Sequence, residues 1–214
     1  MTNKIHAFPA SPRAFKVLWA ANHLGIDYEL VFVDLTKGGA STPEFLKLNP
    51  NGRMPVLQDG DYVLWESNAI VNYLASLKPD AGLLPADTKG RLSIEKWQFW
   101  ESVHWDSACA IFAFERVVKP LFGRGEASES EIARGTQMLE RSAKVLDGEL
   151  AKHRYVAGDK LTVADISIGA SMCLAEAARF PLESYKNIQR WQADIKSLPS
   201  WAKTAAMQQR PKVA

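Results

Sequence analysis

The chain has 214 residues, 47% of them hydrophobic, and a formal net charge of +2 at pH 7. Such a chain is long enough to form one large domain or two small ones around a buried core. The near-balanced charge and the lack of a Lys/Arg cluster exclude the electrostatic footprint of a nucleic-acid-binding protein, and no apolar run is long enough to cross a bilayer. Because the first residues lack the apolar core of a signal peptide, we expect a cytoplasmic protein with no membrane partner.

The chain contains two cysteines, Cys109 and Cys173, and both fall in segments with a helical pattern. Their spacing differs from the CxxC pairs that hold structural metals or form redox centres. We therefore expect no metal and no dithiol centre, and we interpret both cysteines as small buried hydrophobic residues.

The N-terminal segment predicts a strand, a helix and a second strand. Apolar runs at residues 4–8 and 28–34 indicate the strands. Between them, Ser11 is a good N-cap, Pro12 suits the first helical position, and Gly25 ends the helix. Two strands joined by a helix over this length imply a right-handed parallel crossover.

A loop and a hairpin follow a short helix predicted at residues 42–48. The Pro-Asn-Gly sequence at residues 50–52 breaks that helix, and Pro55 opens a strand because the first strand position need not donate to the ladder. Asp59 and Gly60 accept positive φ between two apolar runs, which predicts a β-hairpin.

A further helix follows the hairpin, with Ser67 as its N-cap and Pro79 as its stop. Its start presents free N–H groups beside Glu66 and Ser67, which suits a carboxylate ligand. The element order is βαβ-α-ββα, which is that of a thioredoxin-like fold with one mixed sheet. The apolar positions at helical spacing are Ile70, Val71, Tyr73, Leu74 and Leu77.

The sequence changes character after residue 78. Residues 79–88 are rich in Pro, Ala, Gly and Asp and are typical of a linker, and no strand-like alternation follows them. We therefore predict a thioredoxin-like domain at residues 1–78, a linker at 79–88 and an all-helical domain at 89–214.

Three helices in the second domain have clear boundaries. A long helix is predicted at residues 89–118, ending before Pro120. Another begins at Ser128, with Glu131 completing a capping box, and a third begins with a capping box of Thr162 and Asp165. Further helices are predicted at residues 184–197 and 201–207. The buried stripe of the second helix is Leu139, Ala143, Leu146 and Leu150.

Several short motifs occur in a characteristic order: Asn49-Pro50, Met54-Pro55, Glu66-Ser67 and, in the helical half, Leu161-Thr162-Val163-Ala164-Asp165. Their order and spacing resemble the cytosolic glutathione S-transferase family over nearly the whole chain. The sequence Pro-Ala-Ser-Pro-Arg-Ala-Phe-Lys-Val at residues 9–17 is similar to the serine-type members, a phi/theta-like bacterial branch. The resemblance implies an enzyme that conjugates glutathione, as co-substrate, to small hydrophobic electrophiles. It also implies a homodimer built on the helix after Ser67 and on residues 89–118.

The resemblance also implies roles for individual residues. Ser11 would donate a hydrogen bond to the glutathione sulfur as the catalytic residue. Pro55 would be in the cis form, leaving the Met54 backbone to pair with the cysteinyl part of glutathione. Glu66 would accept from the γ-glutamyl amino group, and Ser67 would hold the adjoining carboxylate.

Each of these residues also has a purely structural interpretation. Ser11 before Pro12 is what an ordinary N-cap looks like, Ser67 is an ordinary cap, and Glu66 alone is an ordinary solvated charge. Only their combination in one site favours the catalytic role of Ser11. Thr162 and Asp165, by contrast, are interpreted as structural, since a capping box explains both.

The electrophile pocket is predicted less directly. In the family it lies between the loops of the first domain and the long helix of the second. An aromatic stripe at helical spacing is more often core than pocket, so both interpretations stay open for that helix. The candidates are Phe8, Pro9, Trp105, Phe112 and Arg116.

The chain departs from the serine-type pattern where a cation commonly meets the glycine carboxylate of glutathione. Ala40 and Ser41 occupy those positions. Lys37 or Arg53 are candidate replacements, and Arg53 is included in the predicted glutathione site. Arg13 is a further anion contact of undefined role.

Two other kinds of function remain open from the sequence. The same site would serve a glutathione-dependent peroxidase or isomerase, whereas a thiol reductase is disfavoured because Ser11 stands where a cysteine would be needed. A non-catalytic ligand-binding or partner-binding protein on the same fold is the other alternative, since the cation near position 40 is missing.

Overall fold

The computed structural model describes residues 3–208, which form two compact units. The first unit contains the described residues up to Leu84 together with those from Ser197 onward, and the second contains Pro85–Lys196. The predicted architecture, a thioredoxin-like domain and an all-helical domain, is confirmed. The described residues from Ser197 onward belong to the first unit, whereas the sequence assigned the end of the chain to the helical domain. Between residues 3 and 208, no helix has the length and apolar character needed to cross a membrane.

A four-stranded mixed sheet, in the order β2-β1-β3-β4, forms the centre of the first unit. Strand β1 pairs in parallel with β2 and antiparallel with β3, and β3 pairs antiparallel with β4. Gly60 has a φ of 59°, so the predicted hairpin turn is confirmed. The strands are β1 (Asn3–Ala7), β2 (Tyr28–Phe32), β3 (Val56–Asp59) and β4 (Tyr62–Trp65).

Four helices complete the first unit, and the last of them comes from the end of the described chain. Helices α1 and α10 pack through aromatic rings, with centroid distances of 4.7 Å for Phe15 and Trp201 and 4.9 Å for Trp19 and Trp201. Trp19 Nε1 also donates to Ser200 Oγ at 3.1 Å. The helices are α1 (Pro12–His23), α2 (Pro43–Leu48), α3 (Ser67–Ser76) and α10 (Pro199–Gln208), with 3₁₀ turns at Leu35–Lys37, Gly39–Ser41 and Pro79–Ala81.

A long continuous helix opens the second unit and contains two π-helical turns. The prediction that it ends before Pro120 is wrong, because helical structure continues to Leu121. The π turn just before the proline pairs N–H groups with carbonyls five residues back, so the regular i to i−4 bonding that proline interrupts is already replaced there. Its segments are α4 (Thr88–Trp100), a π turn (Glu101–Trp105), α5 (Asp106–Ala113), a π turn (Phe114–Val118) and α6 (Lys119–Leu121).

The remaining helices form the rest of the second unit. The predicted stripe of α7 is confirmed as buried, and Cys109 on α5 is buried while Cys173 is half-buried. Burial raises the pKa of the Cys109 thiol, which keeps it protonated and consistent with a packing role. The helices are α7 (Glu129–Leu150), α8 (Val163–Gly169) and α9 (Lys186–Lys196), with a 3₁₀ segment at Ala170–Leu174.

The start of α7 is capped differently from the prediction. Ser128 Oγ accepts from the Glu131 N–H at 3.4 Å, but the Glu131 carboxylate pairs with Arg134 instead of returning to Ser128. The Ser128 N–H donates to Glu115 Oε2 at 2.6 Å. A hydrogen bond from Lys119 and that from Ser128 hold the pKa of Glu115 below its usual value. The Glu115 carboxylate therefore accepts the Ser128 N–H hydrogen bond that the predicted capping box assigned to Glu131.

The capping box at the start of α8 is confirmed, and it is more extensive than the sequence indicated. Asp165 Oδ2 accepts from the Thr162 N–H at 2.9 Å, and Thr162 Oγ1 accepts from the Ala164 N–H at 3.3 Å. The other carboxylate oxygen, Oδ1, accepts from the Val156 N–H at 2.8 Å and from Trp191 Nε1 at 2.9 Å. Asp165 is fully buried, so this carboxylate joins three parts of the helical unit.

Candidate functional site

A polar cleft of about 680 Å³ lies within the first unit, at the end of the sheet where α1 and α3 begin. It brings together every residue that the sequence assigned to thiolate stabilisation or glutathione binding. Its walls come from the turn before α1, the loop before β3 and the turn before α3. The lining residues are Ser11, Arg13, Leu35, Asn49, Asn51, Gly52, Arg53, Met54, Pro55, Glu66 and Ser67.

Ser11 occupies the N-cap position of α1 without acting as a side-chain cap. Its N–H donates to Phe8 O at 2.9 Å and its carbonyl accepts from the Phe15 N–H at 2.8 Å. Within the described residues, its hydroxyl makes no capping hydrogen bond to the helix backbone. Pro12, which has no N–H, stands at the first helical position. The purely structural interpretation of the Ser11 hydroxyl therefore loses its main support.

Asn49 organises the loop that leads to Met54 and Pro55. Its side chain is buried, with Nδ2 donating to Arg53 O at 2.6 Å and Oδ1 accepting from the Asn51 N–H at 3.0 Å. The Met54–Pro55 peptide bond is cis, as the resemblance implied. In the sequence, Asn49 stood out only as part of the Asn49-Pro50 motif, with no role of its own. An asparagine at the end of a helix and two residues before another turn-forming residue is an Asx-turn signal, which would have identified it.

Gly52 is required by the geometry of the same loop. Its φ is +60°, and a β-carbon on it would lie 3.1 Å from Ala40 O. A larger residue would therefore be strained in its backbone and crowded against the preceding segment. This glycine allows the loop at residues 49–53 to lie close to Ala40, with Arg53 lining the cleft.

Glu66 has a strained backbone, with φ 71° and ψ 113°. For a residue other than glycine, a backbone conformation with positive φ costs about 1–3 kcal/mol. Residues held in such conformations occur most often at functional sites. Glu66, not Ser67 as predicted, is the N-cap of α3, and Ser67 is the first helical residue. The one-residue shift has a physical reason: the left-handed turn at Glu66 ends β4 and starts the helix in a single step. The exposed Glu66 carboxyl group lines the cleft next to the buried Ser67.

The start of α3 gives the cleft a positive wall. The first N–H groups of a helix lack intrahelical partners, and the helix dipole adds a partial positive charge there. Among residues 3–208, the Glu66 side chain makes no capping hydrogen bond to these groups. The helix start therefore retains donors that suit an anionic group of a ligand.

The charged residues around the cleft differ in how they are engaged. Arg13 and Arg53 both line it and are exposed. Lys37 is outside the lining set and lies 3.9 Å from the Asp34 carboxylate. Arg53 has no ion-pair partner in the described part of the chain, so of the two candidate replacements it is the one positioned to meet an anionic ligand.

The candidates for the electrophile pocket have other contacts in this structure. Phe8 is half-buried, with its ring 5.7 Å from that of Phe32, and Pro9 is buried. Trp105, which is fully buried, donates through Nε1 to Ser171 Oγ at 2.8 Å.

Phe112 and Arg116 also make contacts inside the helical unit. The Phe112 ring lies 5.8 Å from that of Phe180, and Arg116 Nη1 donates to Ala178 O at 2.9 Å and Arg179 O at 2.7 Å. These contacts give both residues structural roles there. Their assignment to an electrophile pocket stays a prediction.

Comparisons with known proteins match both halves of the chain. The model of the glutathione S-transferase N-terminal domain matches residues 1–76, and that of the C-terminal domain matches residues 104–199. Glutathione S-transferase 3 from Zea mays is 35% identical over 209 residues, covering 95% of this chain and 93% of the relative. The chain belongs to the glutathione S-transferase family. The family assignment made from the sequence motifs is therefore confirmed, and the chain is an enzyme of this family.

Solved glutathione S-transferases have the same fold throughout. The apo structure of glutathione S-transferase III is 32% identical, with a TM-score of 0.88 and coverage of 100% of both chains. Glutathione S-transferase I from mais, in complex with an atrazine glutathione conjugate, is 26% identical, with a TM-score of 0.89 and coverage of 99% of this chain and 100% of that one. The agreement extends over both units of the chain.

Proposed function

We propose that this glutathione S-transferase conjugates the thiolate of glutathione to small hydrophobic electrophiles, with Ser11 stabilising the thiolate. The observation that carries the proposal is the cleft of the first unit, which collects Ser11, Met54-Pro55 and Glu66-Ser67 in one place. The reaction is a nucleophilic displacement: sulfur forms a bond to an electrophilic carbon, and a halide or similar group leaves with the bonding electrons.

The charges of the cleft match those of glutathione. At neutral pH the tripeptide carries two carboxylates and one ammonium group. The Glu66 carboxylate would accept from the ammonium group, while Ser67 and the start of α3 would hold the neighbouring carboxylate. The Met54 backbone would pair with the cysteinyl unit, and Arg53 would meet the glycine carboxylate at the other end.

The stabilisation required of Ser11 is within reach of one hydrogen bond. A free thiol has a pKa of about 8.5, so only a few per cent of it is thiolate at neutral pH. Lowering that pKa by about two units requires roughly 2.7 kcal/mol of preference for the thiolate. A hydrogen bond to a charged group contributes about 1.5–3 kcal/mol. The start of α1 adds a favourable dipole term to that bond.

Glutathione binding and turnover test the proposed function directly. Titration calorimetry with reduced glutathione should show saturable binding, and a chloronitroarene should be conjugated with release of chloride. Reduction of an organic hydroperoxide, measured alongside, should be slower. Absence of both binding heat and conjugation would contradict the proposal, while hydroperoxide reduction faster than conjugation would favour the peroxidase alternative.

Arg53 is expected to determine affinity for the glycine end of glutathione. Replacing Arg53 with glutamine should weaken binding about tenfold, because a charge-assisted contact of roughly 1.5 kcal/mol is lost. Calorimetry on glutathione and on its glycine amide would isolate this contact. Wild type should bind the amide about tenfold less tightly than it binds glutathione. The Arg53→Gln variant should bind the amide and glutathione with equal affinity.

Lys37→Gln is the matched control for this experiment, since Lys37 lies outside the lining set and pairs with Asp34. Its affinity for glutathione should equal that of wild type. If replacing glutathione with its glycine amide weakens binding equally in wild type and in Arg53→Gln, Arg53 does not bind the glycine carboxylate.

We also infer a homodimer, from an apolar face on the long helix. Leu92, Phe99 and Val103 are spaced by seven and four residues and are 56%, 72% and 61% exposed. Exposed apolar side chains aligned on one helix face are typical of an interaction surface. Light scattering should give a mass about twice the 23.8 kDa of the chain.

A charge in the centre of this face should separate the protomers. Phe99→Glu is expected to halve the measured mass, because an unpaired carboxylate would be desolvated in the interface. Val145→Glu is the matched control, since Val145 is an exposed apolar residue on α7. A wild-type mass near that of one chain would contradict the proposed homodimer.

The proposed chemistry also suits a cytoplasmic setting. Conjugation consumes reduced glutathione, and the cytosol keeps its thiols reduced. The cytoplasmic location expected from the sequence therefore remains our proposal.

A further inference from the structure

Lys16 is a buried cation outside the lining of the cleft. It lies on α1, is only 3% exposed, and donates from Nζ to Asn68 Oδ1 at 3.0 Å. Asn68 is on α3 and directly follows Ser67. The bond therefore runs from one helix that begins at the cleft to the other.

The two helices carry opposite ends of the proposed glutathione site. Ser11 precedes the first turn of α1, while Glu66 and Ser67 form the start of α3. Glutathione can reach all three residues only if the two helix starts are held at a fixed separation. The two helices pack against each other, so their packing sets that separation.

Apolar packing alone defines this separation loosely. The buried residues of α3 include Ile70, Val71 and Leu74, and the hydrophobic effect that buries them is non-directional. The hydrogen bond between the buried Lys16 and the half-buried Asn68 is directional, so a shift between the helices that lengthened it would weaken it. The Lys16–Asn68 hydrogen bond therefore favours one alignment of the two helices.

The choice of lysine makes a merely stabilising role a poor explanation. An ammonium group near the start of α3 faces the positive end of the helix dipole, and its burial carries a desolvation penalty. A well-packed apolar residue would satisfy stability at lower cost. Buried polar groups of this kind are best attested as devices that fix register.

We propose that Lys16 is a positioning residue that acts through Asn68 to hold the thiolate end and the carboxylate end of the glutathione site at their working separation. This inference rests on the proposed function. It does not require Lys16 to touch the ligand.

Variants of both partners separate positioning from charge. Asn68→Ala removes the bond but keeps the ammonium group, whereas Lys16→Met removes both and keeps the length of the side chain. Each should lower kcat/KM for glutathione about tenfold, as expected when a reacting group is misplaced. Each should also raise the thiol pKa of bound glutathione, measured by thiolate absorbance against pH. The double variant should lose no more than either single variant.

Lys16→Arg should keep much of the wild-type kcat/KM and a thiol pKa near that of wild type, because arginine is also a long cationic donor. Ser76→Ala, near the end of α3 where the hydroxyl donates to Tyr73 O of the same helix, should behave as wild type. Denaturant unfolding of each variant shows whether it folds and how much stability it has lost.

Three results would overturn the inference. The first is lower stability of the variants with wild-type KM for glutathione and wild-type thiol pKa, which indicates packing alone. The second is a raised thiol pKa in Lys16→Met but not in Asn68→Ala, which indicates an effect of charge. The third is an additive loss in the double variant. If wild type itself binds no glutathione, the proposed function fails first, and that outcome is distinct from these three.

Discussion

Replacing Ser11 with alanine is expected to lower kcat about 10- to 100-fold near neutral pH. The loss follows from the thiol pKa of bound glutathione, which should rise towards about 8.5 when the hydrogen bond is removed. The Ser11 hydroxyl is available for this bond because, among the described residues, it makes no capping contact with α1. Stopped-flow or steady-state conjugation rates across pH measure the effect.

The dependence of the rate on pH distinguishes thiolate stabilisation by Ser11 from a purely structural role. The rate of Ser11→Ala should approach that of wild type as pH rises above about 8.5, because thiolate then forms without assistance. Ser11→Thr keeps a hydroxyl and should retain most of the activity at neutral pH. Superimposable pH profiles for wild type and Ser11→Ala would mean that Ser11 is only a structural residue.

Replacing Asp165 with alanine is expected to destabilise the helical unit by about 3–5 kcal/mol. The carboxylate accepts four hydrogen bonds, from Val156 N–H, Thr162 N–H, Thr162 Oγ1 and Trp191 Nε1. Removing it leaves these buried donors without an acceptor. Denaturant unfolding measures the change, with Asp159→Ala as a control, because Asp159 is exposed and its pairing with His153 contributes little. An equal loss in the two variants would contradict the prediction.

Asp165 also makes stability depend on pH. Burial raises the pKa of Asp165 from 3.8 to about 6, although its four hydrogen bonds act to lower it. The folded state therefore holds a proton that the unfolded state releases between these values. The stability contributed by this proton is fully present below pH 3.8 and is lost as pH rises through about 6.

The difference in unfolding free energy between wild type and Asp165→Asn reports this titration. It should shift in favour of wild type as pH falls from about 7 to about 5, by roughly 1 kcal/mol of a total near 3 kcal/mol. The asparagine variant is the reference because it has a similar shape and does not titrate. A difference that stays constant over this range would mean that Asp165 titrates alike in both states.

Local sequence signals were sufficient for much of the fold. The Asp59-Gly60 turn, the proline and glycine at the two ends of α1, and the Thr162–Asp165 capping box each act within a few residues, so their geometry is encoded nearby. The sequence did not reveal where a distant side chain takes the place of a predicted local hydrogen-bond partner. Glu115 takes the N–H of Ser128 across 13 residues, which no capping pattern reveals.

The candidate site was predictable as a set of positions but not as a set of contacts. The family resemblance of the sequence motifs was enough to group Ser11, Met54-Pro55 and Glu66-Ser67 in one site. The strained φ of Glu66, the Asn49 bonds and the Lys16–Asn68 bond depend on how separate elements pack. Periodicity within one segment carries no information about such packing.

The packing of α10 on α1 has a consequence for how the protein is made. The Trp19 indole and the Ser200 hydroxyl that it contacts are 181 residues apart in sequence. A nascent chain leaving the ribosome carries α1 long before its aromatic partner Trp201 exists. The glutathione-binding unit should therefore reach its native core only late in translation, with Phe15 and Trp19 open to chaperones until then.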